Sequence, residues 1–141
     1  MSQAVIFMSM PPGVNRAYDP QRSVNKKTGK VSAKIIKNDI ARKWADYARN
    51  EIIKQAFEFK APNKYGILIQ IPEGDYDTDH FEKEIIDACV NAGAVPSDKS
   101  KYNMGFSVEI VTGIPAKWCR LTIYALPDEY TKPCVEDFPL E

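Results

Sequence analysis

The chain of 141 residues lacks the features that mark membrane, disulfide-rich and many cofactor-binding proteins. No apolar run approaches the ~18 residues of a membrane helix, and the short N-terminal AVIFMSM has no basic leader, which favours a strand over a signal peptide. Three cysteines without C-x-x-C spacing predict neither structural zinc nor a disulfide framework and fit a reducing cytosol. There is no P-loop or G-x-G-x-x-G motif, and no serine forms a plausible triad with the single histidine.

A net charge of zero conceals an uneven charge distribution. Residues 11–50 hold ten Lys and Arg against three Asp, whereas residues 51–141 hold nine Lys and Arg against sixteen Asp and Glu. A basic surface in the first part can follow phosphates while an acidic site lies in the second. The neutral total therefore does not exclude a polyanionic partner.

Hydrophobic periodicity and turn residues predict an α+β fold with the order β-α-β-α-β-β, one domain with two helices on a mixed sheet. Ser32 is the predicted N-cap of the first helix and Gly93 the C-cap of the second. We predict a long loop over residues 10–30, a hairpin of the last two strands and, after the domain at 1–126, an acidic, proline-containing tail at 127–141. The predicted strands are 3–9, 65–72, 105–113 and 117–126, and the predicted helices are 33–56 and 79–92.

The segment GDYDTDHFEKEIIDA, residues 74–88, concentrates acids at a helix start. Asp79 and Glu82 fit a capping box, and acids at a helix N-terminus gain ~0.3–1 kcal/mol from the dipole. Alternatively, the carboxylates surround a cation. Asp79, Lys83 and Asp87 have the i, i+4, i+8 spacing of one column on the helix surface. An EF-hand is excluded, because His80 stands where the loop needs glycine and Ile86 where it needs glutamate.

Asp98 lies five residues beyond Gly93. An extended segment advances ~3.3 Å per residue and can retrace much of a helix that is ~20 Å long. Asp98 is therefore expected to meet Asp77 and Asp79. A site made of carboxylate oxygens would suit Mg²⁺ or Mn²⁺.

These residues resemble the RusA family of Holliday-junction resolvases over about residues 5–126. PPGVNRAY is similar to the family's Pro-Pro-Ser-x-Asn-Arg-x-Tyr signature, and DTDHFEKEIIDACVNAG to its Asp-x-Asp-Asn-x-x-Lys segment followed by Asp-Ala-Leu and Ala-Gly. Asp98 stands at the position of the family's third essential aspartate. Two positions depart from the pattern: His80 replaces the usual Asn, and Ser97 stands where many members carry another Asp.

The resemblance implies a cytoplasmic homodimer, encoded by a bacterium, prophage or phage, that resolves four-way DNA junctions by paired symmetric nicks in recombination and repair. It implies that Asp77, Asp79 and Asp98 hold Mg²⁺ or Mn²⁺ and are catalytic together with Lys83. Asp87 and His80 are expected to support this site.

The basic quarter of the chain is the expected DNA-binding surface, since phosphate contacts give affinity that does not depend on sequence. A solvated face that keeps the protein soluble is the alternative. The expected DNA-binding residues are Asn15, Arg16, Tyr18, Arg22, Lys26, Lys27, Lys30 and Lys34, with Arg42, Lys43 and Arg49 extending the track along the first helix.

Three rival functions remain open from the residues. The first is a flap or other structure-selective DNA endonuclease with the same chemistry. The second is a junction-binding protein that has lost catalysis through the changes at His80 and Ser97. The third is an interaction domain in which the acids serve only as helix caps.

Overall fold

A computed structural model describes residues 2–13, 18–24, 26–37, 39–76 and 78–139; the side chains of residues 18–24, 31–37 and 78–80 lie outside this description. The α+β class is confirmed, and the helices and the strands of the main sheet follow the predicted β-α-β-α-β-β order. In chain order the elements are β1 (Gln3–Ser9), β2 (Tyr18–Val24), β3 (Val31–Lys37), α1 (Asp39–Gln55), β4 (Lys64–Ile71), α2 (Thr78–Asn91), β5 (Asn103–Ile110) and β6 (Trp118–Leu126).

The main sheet has four strands in the order β1-β6-β4-β5. β4 is central, as predicted, but its residues alternate between buried and half-buried, so it is not fully covered on both faces. The buried face carries Ile67, Ile69 and Ile71 of β4, which pack with Leu121 and Ile123 of β6 in the same core as the helices. This alternation is typical of a sheet with helices on one side only.

The predicted hairpin of the last two strands is wrong. β6 pairs antiparallel with both β1 and β4, whereas β5 pairs parallel with β4 on its other side. A parallel pair needs a crossover connection, and α2 provides it between β4 and β5. The short TGIPA segment suggested a tight hairpin, but the connection instead takes the chain past β4.

Residues 10–30 do not form one long loop, and α1 does not begin near Ser32. Instead β2 and β3 form a separate two-stranded antiparallel sheet, with Val24 opposite Val31. Gly29 has a φ of 70° in the connecting turn, a conformation that glycine adopts without steric cost. Ile36 lies in β3, before the helix. Its four-residue spacing to Ile40 of α1 matches the helical period, and this is why the predicted helix began too early.

α1 covers the free edge of β1 with hydrogen bonds from its side chains. The Gln55 amide spans the backbone of Phe7: its Nε2 donates to the Phe7 carbonyl and its Oε1 accepts from the Phe7 N–H, both at 2.8 Å. Two residues further along β1, Ser9 donates its N–H to the Tyr47 hydroxyl at 3.0 Å, and its carbonyl accepts from Trp44 Nε1 at 3.1 Å. An edge satisfied in this way does not offer these groups to another strand.

α2 begins one residue before the predicted start and ends one residue before the predicted end, with Gly93 at the predicted C-cap. Gly93 has a φ of 75°, its N–H donates to the Val90 carbonyl, and the Ala94 N–H donates to the Cys89 carbonyl, each at 3.0 Å. This bonding pattern is a Schellman motif. Arg49 of α1 adds a bond from Nε to the Asn91 carbonyl at 3.3 Å, so one of the basic residues assigned to a DNA track also caps α2.

The tail contains no helix or strand between residues 127 and 139. Its first residues are fixed by Lys64, whose Nζ donates to the carbonyls of Asp128 and Tyr130 at 2.6 and 2.9 Å. Within the described ranges, no helix is both long and apolar enough to cross a membrane.

Replacing Gln55 by Ala removes both hydrogen bonds to Phe7. We expect the free energy of unfolding to fall by about 1–2 kcal/mol, because each bond contributes about 0.5–1.5 kcal/mol and the edge groups lose their partners. Urea unfolding measures this change. Lys54→Ala, an exposed position on the same turn, is the control, and equal midpoints for the two variants would contradict the role of Gln55.

Candidate functional site

Lys83 and Asp98, far apart in sequence, line one cleft of about 250 Å³ on the outer side of α2. Both side chains are exposed, and Asp87, one turn after Lys83, is half-buried at the same cleft. We call this the acidic cleft; its lining residues are Glu82, Lys83, Ile86, Asp87, Asp98 and Asn103. The expected return of the chain toward α2 therefore does bring Asp98 to the helical column of Lys83 and Asp87.

The other two predicted metal ligands are only partly described. Asp77 lies outside the described residues. Asp79 and His80 lie in the first turn of α2, and their side chains are outside the description. Because an α-helix rises 1.5 Å per residue, the backbone of Asp79 is about 6 Å along the axis from that of Lys83, on the side away from Asp87.

Tyr65 fixes the segment that carries Asp98. It is fully buried at the start of β4, and its hydroxyl donates to the Ser97 carbonyl at 2.7 Å. On the same residue the backbone N–H donates to the Tyr102 carbonyl at 2.9 Å, so Tyr65 holds the loop on both sides of Asp98. Sequence reasoning missed this role, although a tyrosine that opens an apolar strand needs a partner for its hydroxyl when it is buried.

Burial, with smaller contributions from the neighbouring Cys89 and Asp98, raises the pKa of Tyr65 to about 12. The protonated phenol is therefore the form that donates to Ser97. The contribution of Asp98 also indicates that its carboxylate lies close enough to Tyr65 for their charges to interact.

Ser97, one of the two departures from the family pattern, has a local structural role. Its Oγ accepts a hydrogen bond from the Lys99 N–H at 3.2 Å, which closes a turn around Asp98. An aspartate makes the same type of turn through its carboxylate. A serine at this position therefore forms the same type of turn without adding a carboxylate.

A second cavity, of about 310 Å³, lies on the other side of the start of α2. Tyr76 and Phe81, whose ring centroids are 6.4 Å apart, contribute two of its aromatic side chains. We call it the aromatic cavity; it is lined by Met10, Pro11, Pro12, Gly13, Ile40, Trp44, Asp75, Tyr76, Phe81 and Lys117. The described start of the PPGVNRAY motif thus adjoins the segment that leads into α2.

Six of the predicted DNA-binding residues lie on the β2–β3 hairpin rather than on a long loop. Tyr18 and Arg22 belong to β2 and Lys34 to β3, with side chains outside the description, while Asn15 and Arg16 lie outside the described residues altogether. Lys26, Lys27 and Lys30 are exposed in the connecting turn. On α1, Lys43 is exposed and Arg42 pairs with Asp39 at 3.2 Å.

The described residues contain no group of three His, Cys, Asp or Glu side chains arranged to hold a metal ion. The acidic cleft nevertheless supplies only oxygen donors, from Glu82, Asp87 and Asp98, and this is the donor chemistry that Mg²⁺ prefers.

Glu84 is a further residue that sequence reasoning missed. It is 3% exposed, on the side of α2 that faces the core. Its position three residues after Phe81 and one before Ile85, both buried, was the available signal. A buried carboxylate needs a charged or hydrogen-bonding partner. Glu84 therefore belongs to the buried side of α2 and not to its solvated face.

Comparison of the sequence with models of known protein families gives no match, and comparison with curated proteins gives none either.

Replacing Tyr65 by Phe removes the bond to Ser97 and leaves its carbonyl without that donor. We expect a loss of about 1–2 kcal/mol in the free energy of unfolding near pH 7, with faster amide exchange in residues 97–99. Because the folded pKa is raised, the wild-type phenol stabilises the fold fully below about pH 10 and this contribution is lost as the pH rises toward 12. The difference between wild type and Tyr65→Phe should therefore shrink over that range.

Urea midpoints between pH 7 and 11.5 and hydrogen exchange by mass spectrometry measure these effects. Tyr124→Phe, on the partly exposed face of β6, is the matched control. A pH-independent difference between wild type and Tyr65→Phe would contradict the assignment.

Proposed function

We propose that this protein is an Mg²⁺-dependent endonuclease that resolves four-way DNA junctions by paired symmetric nicks. The observation that carries the proposal is the proximity of Asp98 to Lys83 and Asp87 in the acidic cleft. If the chain is a resolvase of the RusA type, Asp98 must lie near the acids of α2. If those acids served only as helix caps, Asp98 would have no reason to lie beside them.

Each residue of the cleft has a distinct task in this proposal. Asp77, Asp79 and Asp98 would hold the Mg²⁺, and Lys83 places an ammonium at the cleft to offset charge on the scissile phosphate or to orient the attacking water. Asp87 lies one turn after Lys83 and adds another carboxylate to the same cleft as Asp98. When bound, Mg²⁺ lowers the pKa of a water molecule and neutralises charge on the phosphate.

The hairpin supplies the attraction for DNA. Lys26, Lys27 and Lys30 project a positive charge from an exposed turn, and such charges bind the phosphate backbone without regard to sequence. A four-way junction has two symmetry-related scissile phosphates, so the proposed reaction requires a two-fold homodimer with one site in each subunit.

Cleavage assays with four-way junctions, flaps and linear duplexes in Mg²⁺ test the proposal. We expect wild type to cut the four-way junction in preference to the other substrates, and Asp98→Asn to reduce the rate to the level seen in EDTA. Lys83→Met should lower the rate by about 10²–10³-fold, the usual effect of removing one charge-stabilising group. Asp46→Asn, an exposed carboxylate on α1, is the control.

The same assays separate the rival functions. Preferential cutting of flaps by wild type would favour a different structure-selective nuclease. Tight junction binding in EDTA without nicking in Mg²⁺ or Mn²⁺ would favour a binding protein, and wild-type rates for Asp98→Asn would end the proposed role of the cleft.

Salt dependence tests the hairpin turn separately from catalysis. Replacing Lys26, Lys27 and Lys30 by Ala should reduce the slope of log K against log[salt] by up to about 3, because each lost phosphate contact removes about 0.9. The control variant replaces Lys54, Lys60 and Lys132, which are exposed outside the hairpin, and changes the net charge equally. Equal slopes for the two triple variants, measured by fluorescence anisotropy in EDTA, would remove the turn from the DNA-binding surface.

A further inference from the structure

We propose that the aromatic cavity receives one unstacked nucleobase of the DNA strand that is cut, and that it favours a base with an exocyclic amine. This inference rests on the proposed function, because it assigns the cavity to the same DNA substrate. The observations behind it are the lining of the cavity, its position on α2, and the backbone conformation of Lys117.

The lining suits a flat aromatic ring. Trp44, Tyr76 and Phe81 contribute aromatic surface, and Pro11 and Pro12 contribute flat aliphatic rings. The volume of about 310 Å³ is at the low end of the ~300–1,000 Å³ range of small-molecule sites. The space therefore fits one ring system rather than an extended cofactor. Bases stack on aromatic side chains in this way in many proteins that bind single strands.

The cavity and the acidic cleft share the first turns of α2. Phe81 lines the aromatic cavity, whereas the next two residues, Glu82 and Lys83, line the acidic cleft. A strand whose phosphate lies at Lys83 therefore passes close to the cavity mouth. A nucleotide that rotates out of its stack about the backbone places its base in such a pocket, and bases at a junction are already partly released from stacking.

Two charged residues give the cavity a chemical preference. The exposed Asp75 carboxylate accepts hydrogen bonds, and this favours the amino group of cytosine, adenine or guanine over thymine, which has none. The exposed Lys117 ammonium carries the opposite charge and suits a phosphate of the same strand. The only two charged groups of the described lining thus match the two polar parts of a nucleotide.

Lys117 has an uncommon backbone conformation. Its φ of 68° is in the left-handed region, which residues other than glycine rarely adopt. Two hydrogen bonds hold it there: its N–H donates to the Tyr76 hydroxyl at 3.0 Å, and its carbonyl accepts from the Met10 N–H at 2.9 Å. Strained residues held by their surroundings concentrate at binding sites, and here both partners of the strained residue belong to the cavity wall.

Fluorescence of 2-aminopurine, placed in turn at each position flanking the cut in a four-way junction, tests the proposal in EDTA, where no cleavage occurs. We expect emission to rise at one position when wild-type protein binds. Ile40→Trp should abolish the rise and weaken binding about tenfold, because it fills the cavity from a position that is 44% exposed. Ile53→Trp, 42% exposed on the same helix but outside the cavity, should leave both unchanged.

A second variant that fills the cavity keeps the proposal testable if Ile40→Trp does not fold. Gly13 also lines the cavity, and an added Cβ there meets no atom within 4 Å; Gly13→Leu therefore adds a side chain at the cavity without a clash and should give the same loss of emission. In Mg²⁺, Asp75→Ala should weaken the preference for an amino-bearing base at the responsive position. A preference unchanged by Asp75→Ala would contradict the role of its carboxylate.

The outcomes separate this inference from the nuclease proposal. Normal cleavage by wild type with no brightening at any position, and with Ile40→Trp as active as Ile53→Trp, would overturn the base pocket alone. Brightening that Ile40→Trp abolishes, in a protein that cuts no junction, would support the pocket and overturn the nuclease. Failure of wild type to bind any DNA would overturn both.

Discussion

A hydrogen bond from a buried phenol to a backbone carbonyl, between Tyr65 and Ser97, joins the central strand to the segment that carries Asp98. The geometry of the acidic cleft depends on it, because β4 and β5 are parallel and their crossover through α2 must return along the helix. Burial keeps the phenol protonated by raising the pKa of Tyr65 to about 12. The same residue therefore anchors the core and sets the position of an acid on the surface.

The first helix links stability to the second cavity in a similar way. Trp44 donates from its indole nitrogen to Ser9 on the sheet edge, while the residue also lines the aromatic cavity. Its neighbours Tyr47 and Gln55 satisfy further groups of the same edge. The contacts that hold α1 against the sheet edge therefore also fix the wall of the cavity that Trp44 forms.

The predictable parts of this molecule are those set by short-range rules. The apolar stripe of Phe81, Ile85 and Cys89 predicted the position of α2, and Gly93 predicted its end. The length of the segment after Gly93 predicted that Asp98 would return to the helix. Pairing of distant strands was not predictable, since β5 and β6 read equally well as a hairpin and only tertiary packing places β4 between them. The β2–β3 sheet was missed because Ile36 and Ile40 share helical spacing by coincidence. Tyr65 and Glu84 were missed because their partners are set by the fold.

Because the charge of the chain is uneven, the proposed reaction assigns DNA binding and metal-dependent cleavage to different parts of the molecule. Glu82, Asp87 and Asp98 line the cleft together with the single cation Lys83 of the described lining, so that the lining carries more negative than positive charge. Such a cleft repels a phosphate unless cations occupy it. Affinity for DNA must then come from elsewhere, and residues 11–50, with ten basic residues against three acidic ones, carry the opposite charge. Under the proposed function, the hairpin holds the DNA near the cleft, and the cleft accepts a phosphate only when Mg²⁺ is bound. DNA binding without metal therefore depends on the hairpin, whereas cleavage with metal depends on the cleft.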